Sequence, residues 1–118
     1  MLYLANAFSL NILHISNGRM AHVVVNKIEE GRAAELIRSA CRLSGFNNII
    51  GHQTTDEIIR CIFEDYELFI PPGQRKSILI HEEDILVVAQ YIGPRLEEGT
   101  TVLPDYARIE WFEVYLEP

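Results

Sequence analysis

The sequence predicts a single α+β domain spanning residues 1–118, in which a mixed β-sheet of about five strands packs against helices. Two segments carry apolar residues at helical spacing, and several short apolar or alternating segments lie between turn residues. No linker, internal repeat or low-complexity segment divides the chain. With 118 residues, 48% of them apolar and 23% charged, the chain has the size and composition of a soluble globular protein with its own core.

Five short segments bounded by turn residues predict strands: residues 2–5, 22–28, 77–81, 85–92 and 108–116. The segment 85–92 is apolar almost throughout, which is typical of a central strand buried on both faces. Gly93 and Pro94 end it, because proline cannot donate to a β-ladder. The segment 108–116 alternates between apolar and polar residues, which indicates a strand with one wet face.

The first predicted helix runs from Glu29 to Leu43 and ends at Gly45. One face carries its apolar residues, namely Ala33, Leu36, Ile37, Ala40 and Cys41. A second helix follows the Thr54 region, and its buried face carries Ile58, Ile59, Ile62 and Phe63. Arg60 and Glu64 are four residues apart on the exposed side of that helix, which predicts a solvated ion pair.

Composition excludes several classes of function. The net charge of −7 argues against a protein that coats long nucleic acid. No apolar run approaches the length of a membrane span, and the N-terminus lacks the basic region and cleavage site of a secretion signal. Cys41 and Cys61 are expected to be reduced core thiols of a cytosolic protein. The four histidines have no partner at metal-binding spacing, so we expect neither a metal nor a cofactor.

The segment 49–57 is the strongest candidate for chemistry. Two apolar isoleucines lead into Gly51 and His52, and Thr54 with Glu57 three residues later predicts a capping box at a helix N-terminus. A titratable imidazole would then lie beside free backbone N–H groups that favour negative charge. A cap with no role beyond stability explains the same residues.

Polar groups in predicted loops supply further candidates. Asn6, Ser9 and Asn11 follow the first strand, a position typical of ligand loops at the end of a sheet. Spacing alone favours a plain helical cap for Asn6 or Ser9. Arg75 and Arg95 also lie in loops, where an arginine can bind a phosphate through two hydrogen bonds or serve as an ordinary surface charge.

Three motifs together carry a resemblance to a known family: Tyr3–Asn11, Ile50–Thr55 and Arg95–Gly99. They resemble, in the same order, the viral anti-CRISPR ring nucleases, small proteins of archaeal viruses and phages. The resemblance implies a homodimer with a ligand cleft at its interface, which binds the second messenger cyclic tetra-adenylate. It further implies a metal-independent phosphodiesterase that linearises this ring and so antagonises type III CRISPR immunity.

The resemblance also implies a role for each matching residue. His52 would be the general acid, Arg95 would hold the scissile phosphate, and Glu98 would position the attacking 2′-hydroxyl. The remaining matches would line the ligand pocket: Asn6, Ser9, Asn11, Gly51 and Arg75. The chain departs from the family pattern at Gln53–Thr55, at Gln74, at Gly93–Pro94 and in the shorter segment 100–107.

Two other functions stay open at this point. A cyclic-nucleotide sponge or sensor would use the same cleft without useful cleavage. A small interaction protein would block a host partner through the dimer surface and have no nucleotide affinity. In each case we expect the protein in the cytosol, which for a viral protein is the host cytoplasm.

Overall fold

The computed structural model describes residues 1–6, 13–15, 22–43, 45–74 and 76–117. Its elements, in chain order, are β1 (Leu2–Ala5), β2 (Leu13–Ile15), β3 (His22–Ile28), α1 (Glu30–Arg42), β4 (Phe46–Asn48), α2 (Gln53–Glu64), β5 (Ile78–Ile80), β6 (Ile85–Ile92) and β7 (Arg108–Glu117). The predicted fold class is confirmed, because a mixed five-stranded sheet packs against two helices.

The five-stranded sheet has the order β3-β7-β6-β1-β4, which places β6 at its centre as predicted. Strands β6, β1 and β4 run parallel to one another, whereas β3 and β6 are both antiparallel to β7. Strands β2 and β5 form a separate parallel pair. The central strand is apolar on both faces because Val87 and Ala89 pack into one core cluster and Leu86 and Val88 into another.

The helices cover one face of the sheet. Ala33 and Ile37 of α1 and Ile59 and Phe63 of α2 pack there against the strands. The rings of Phe63 and Trp111 meet edge to face, with centroids 5.3 Å apart and an angle of 62° between their planes. On the opposite face, Ile78 and Ile80 of β5 pack against residues of β1, β6 and β7. Burial on two faces therefore fixes the sheet between two apolar layers.

Several local predictions needed correction. Cys41 is exposed, as are Arg42 and Leu43, and Cys61 is only partly buried, so neither thiol lies in the core, where both were predicted. Arg60 pairs with Asp56 and not with Glu64, since the nearly buried Asp56 carboxylate lies 3.2 Å from the Arg60 guanidinium. Strands β2 and β4 were not predicted, because three residues are too few to show a period. Neither helix in the described part of the chain is long and apolar enough to cross a membrane.

Candidate functional site

The three parallel strands β6, β1 and β4 have their carboxyl ends on the same side of the sheet. This side, and not an outermost strand, is meant below by this edge of the sheet. Asn6 follows β1, Gly51 and His52 follow β4, and the loop with Arg95 and Glu98 follows β6. In open sheets with parallel strands, ligands bind in the crevice outside these carboxyl ends. The three motifs of the sequence therefore all lead out of the same edge.

The chain before His52 is held from both faces of the sheet. Ile49 packs into the core on the helix-free face, and Ile50 packs into the core under the helices. The backbone N–H of Ile49 also donates to the Leu4 carbonyl oxygen at 2.9 Å, which extends the pairing of β4 with β1. Gly51 and His52, by contrast, are exposed. The imidazole is thus attached to a rigid segment and is accessible to a ligand.

His52 is the N-cap of α2. It has an extended backbone, with φ −87° and ψ 113°, and the Asp56 N–H donates to its carbonyl oxygen at 2.9 Å. The predicted capping box is therefore wrong: Thr54 is buried inside the first turn, and no side chain caps the helix. The helix starts at Gln53, so Thr54, the predicted N-cap, already lies within it.

The first turn of α2 gives this edge a local positive potential. By helix geometry, the N–H groups of the first turn have no carbonyl partner within the helix, and the helix dipole adds to their partial charge. Thr55 Oγ1 lies 3.4 Å from His52 Nδ1. If the hydroxyl donates, the neutral imidazole carries its proton on Nε2, for which the described residues provide no hydrogen-bond partner. Backbone N–H groups that can bind an anion therefore lie beside an imidazole that can donate a proton.

A buried polar network lies behind this turn. Asp56 is 5% exposed and accepts from Asn48 Nδ2 at 2.9 Å, the Gly73 N–H at 3.1 Å and Arg60 Nε at 3.2 Å. Reasoning from the sequence missed Asp56 and Asn48 as functional candidates, because Asp56 looked like part of a helix start signal. Nothing local in the sequence marks an aspartate as buried, since its partners come from other segments of the chain.

The loop after β6 has its own internal supports. The Tyr91 hydroxyl donates to the Pro94 carbonyl oxygen at 2.6 Å. Loss of solvent around the phenol raises the pKa of Tyr91, and the neighbouring Tyr106 raises it further, so the hydroxyl stays a donor. At the other end of the loop, Thr100 Oγ1 donates to the Glu97 carbonyl oxygen at 2.7 Å. These bonds hold a short loop that presents exposed side chains.

Arg95 and Glu98 are both exposed on this loop. No carboxylate among the described residues forms an ion pair with Arg95. Ala5 pairs with Val88, and β6 continues for four residues to Ile92, so the loop starts about 13 Å further out than the end of β1. The pairing of Leu4 with Asn48 means that Asn6 and the segment with Gly51 and His52 leave the sheet from neighbouring strand ends, whereas the Arg95 loop starts further out from β6.

Three predicted ligand residues, Ser9, Asn11 and Arg75, lie outside the described residues. The segment immediately before Arg75 is described. The Gln74 N–H donates to the Asn48 carbonyl oxygen at 3.2 Å, so this segment lies against the outer edge of β4.

Comparison with known proteins gives the family. The STIV B116-like family model matches residues 2–109, which include all three motifs. The chain belongs to the STIV B116-like family. One similar solved structure is that of B116 of Sulfolobus turreted icosahedral virus, with a TM-score of 0.75 and 22% sequence identity over 97% of each chain. No curated protein matches the chain. The resemblance to a family of viral proteins is therefore confirmed, and the likeness to viral B116 shows a shared fold.

Proposed function

We propose that this STIV B116-like protein is a metal-independent ring nuclease that cleaves cyclic tetra-adenylate and thereby antagonises type III CRISPR immunity. The observation that carries the proposal is the exposed His52 at the N-terminus of α2, on a segment anchored by Ile49 and Ile50. An imidazole, which can donate a proton, lies there beside backbone N–H groups that can bind a phosphate. The order and identity of the three family motifs add independent support.

The proposed reaction is an internal transesterification. A ribose 2′-oxygen attacks the adjacent phosphorus, the bond from phosphorus to the 5′-oxygen breaks, and a 2′,3′-cyclic phosphate forms. His52 donates a proton to the departing 5′-oxygen, a role for which an imidazole is suited near neutral pH. The proton of the attacking 2′-hydroxyl leaves to solvent or to Glu98, which positions that hydroxyl. No atom is oxidised or reduced, and water is not consumed in this step.

Phosphate binding is assigned to two features of the edge. Backbone N–H groups of the first turn of α2 would bind one non-bridging oxygen, and Arg95 would hold the scissile phosphate through a two-point contact. Arg95 suits this role because no described carboxylate neutralises it. General acid catalysis contributes roughly 10²–10⁴-fold, and holding the 2′-oxygen in line contributes the larger share.

The site is further proposed to be shared by two copies of the chain, as the family resemblance implies. Cyclic tetra-adenylate repeats the same nucleotide around a ring, and a twofold dimer presents the same edge twice. A dimer would also let an Arg95 loop of one copy approach a ligand held at His52 of the other. Sedimentation equilibrium across a range of protein concentrations tests this, and a monomer at all concentrations contradicts it.

The deciding experiment is incubation with cyclic tetra-adenylate in EDTA, with products followed by chromatography. We expect the wild type to linearise the ring and His52→Ala to lose turnover while retaining most of its ligand affinity. His81→Ala is the matched control, because His81 is also exposed but precedes β6 at the opposite edge of the sheet. A fully active His52→Ala variant, or a wild type that needs a divalent metal, contradicts the mechanism.

A sponge or sensor is the second candidate. The observation that favours it is the offset of about 13 Å, along the strand direction, between the end of β1 and the start of the Arg95 loop. The loop with Arg95 therefore suits contact with a different part of a large ring from the one that Asn6 meets at the end of β1. Tight binding with an intact ring after prolonged incubation identifies this function, whereas absence of binding excludes both candidates.

A further inference from the structure

Asp56 is a buried charge for which the proposed reaction has no use. Its carboxylate is four residues beyond His52, and it accepts three N–H donors from three different parts of the chain: β4, α2 and the segment that contains Gly73. Only one of these donors, Arg60, belongs to the same helix. A carboxylate with three donors in fixed directions sets the relative position of the segments that supply them.

Asn48 completes the connection. Its side-chain oxygen accepts from the Ile50 N–H at 3.1 Å, while Nδ2 donates both to Asp56 and to the Pro71 carbonyl oxygen at 3.0 Å. Asn48 is 5% exposed, so these bonds form away from solvent. The network thus joins the connection between β4 and α2 to the segment 71–74.

Gly73 shows how closely the two segments approach. A Cβ atom at this position would lie 2.0 Å from the Ile50 carbonyl oxygen and 3.0 Å from Asp56 Oδ1. No side chain fits there unless the backbone moves, either at Ile50, two residues before His52, or in the segment 71–74. The segment 71–74 therefore packs directly against the backbone to which the imidazole is attached.

We propose that Asp56, with Asn48, is a positioning residue for His52 and for the segment that leads into Arg75. This inference rests on the proposed function of His52. Without the carboxylate, the Gly73 and Asn48 donors lose their common acceptor, the two segments move apart and the imidazole leaves the line of the departing oxygen. A displacement of about 1 Å can lower a catalytic rate by about 10²-fold.

The test compares Asp56→Asn with Asp84→Asn. Asp84 is a matched control because it is 4% exposed, accepts the His81 N–H at 2.9 Å and pairs with the N-terminus, but lies at the opposite edge of the sheet. Single-turnover cleavage at saturating cyclic tetra-adenylate is measured below both unfolding midpoints, together with backbone amide NMR spectra. We expect Asp56→Asn to cleave about 10²-fold more slowly and to shift the Gly51 and His52 amide signals, whereas Asp84→Asn does neither.

A second pair of variants covers the case in which Asp56→Asn fails to fold. Gly73→Ala adds only a methyl group, directed at the Ile50 carbonyl oxygen. We expect it to slow cleavage and to shift the His52 amide signal in the same direction as Asp56→Asn does. Gly31→Ala is its control, since a Cβ there has no neighbour within 4 Å. Equal effects in test and control variants, or unchanged His52 signals in both test variants, overturn the positioning role.

The NMR result also separates this inference from the proposed function. If the wild type does not cleave the ring but Asp56→Asn and Gly73→Ala still shift the Gly51 and His52 signals, the proposed enzyme activity fails and the positioning by Asp56 stands. If the wild type cleaves and both test variants cleave at the wild-type rate, the positioning role fails and the enzyme activity stands.

Discussion

The packing of α2 on the sheet gives the sharpest quantitative prediction. Phe63 is fully buried near the C-terminal end of α2 and meets Trp111 of β7 edge to face. Replacing a buried phenylalanine by alanine costs about 3–5 kcal/mol through lost transfer free energy and the cavity that remains. Edge-to-face pairs contribute about 0.5–1.5 kcal/mol beyond the buried area, so we expect Phe63→Ala to fall in the upper part of that range.

Urea unfolding at fixed protein concentration measures this cost. Trp111 is the single tryptophan of the chain and contacts the substituted ring, so its fluorescence reports both the local change and global unfolding. The matched control is Phe69→Ala, because Phe69 follows the same helix but is 84% exposed, and we expect a change within about 0.5 kcal/mol. A loss below about 1 kcal/mol for Phe63→Ala, or equal losses for both variants, would refute the packing described for α2.

Two further predictions concern single hydrogen bonds. Thr55→Val removes the hydroxyl that lies 3.4 Å from His52 Nδ1. Since such a hydrogen bond is worth about 0.5–1 kcal/mol, we expect a single-turnover rate that is about 2–5-fold lower, with unchanged ligand affinity. An unchanged rate contradicts a role for this contact. Tyr66→Phe removes the 2.8 Å bond to Glu30 and should lower the free energy of unfolding by about 1 kcal/mol at pH 8. The bond to Glu30 raises the pKa of Tyr66, so its contribution is complete below the unfolded pKa and disappears as the pH rises through the higher folded pKa. Urea unfolding of both proteins at pH 8 and pH 11 measures this, and a difference that grows with pH contradicts the sign.

Much of the fold follows from local patterns in the sequence. The continuous apolar run at 85–92 identified the central strand, because a strand covered on both faces needs apolar residues at every position. Helical spacing identified the buried faces of α1 and α2, with Ala33, Ile37, Ile59 and Phe63 all buried. The helix α1 ends at Arg42 with Leu43 as its C-cap, two residues before the predicted Gly45, whose N–H donates to the Ala40 carbonyl oxygen at 2.9 Å.

The candidate site was only partly predictable. The sequence placed His52 at a helix start and in a ligand-like context, and the structure confirms that helix start while moving the N-cap onto His52 itself. The roles of His52, Arg95 and Glu98 stay predictions, as do those of Ser9, Asn11 and Arg75, which lie outside the described residues.

Tertiary structure alone decided which polar groups are buried and with which partners. From the sequence, Asp56 looked like an ordinary carboxylate in the first turn of a helix. In the structure it accepts a hydrogen bond from the N–H of Gly73, 17 residues further along the chain, and it forms the ion pair with Arg60 that was predicted for Glu64. Cys41 satisfied the helical period but is exposed, whereas its neighbour Ala40 packs against the core. Periodicity tells which side of an element faces inward, because the side-chain directions repeat along the backbone. It does not tell which distant segment meets that side, because such contacts depend on how the whole chain packs.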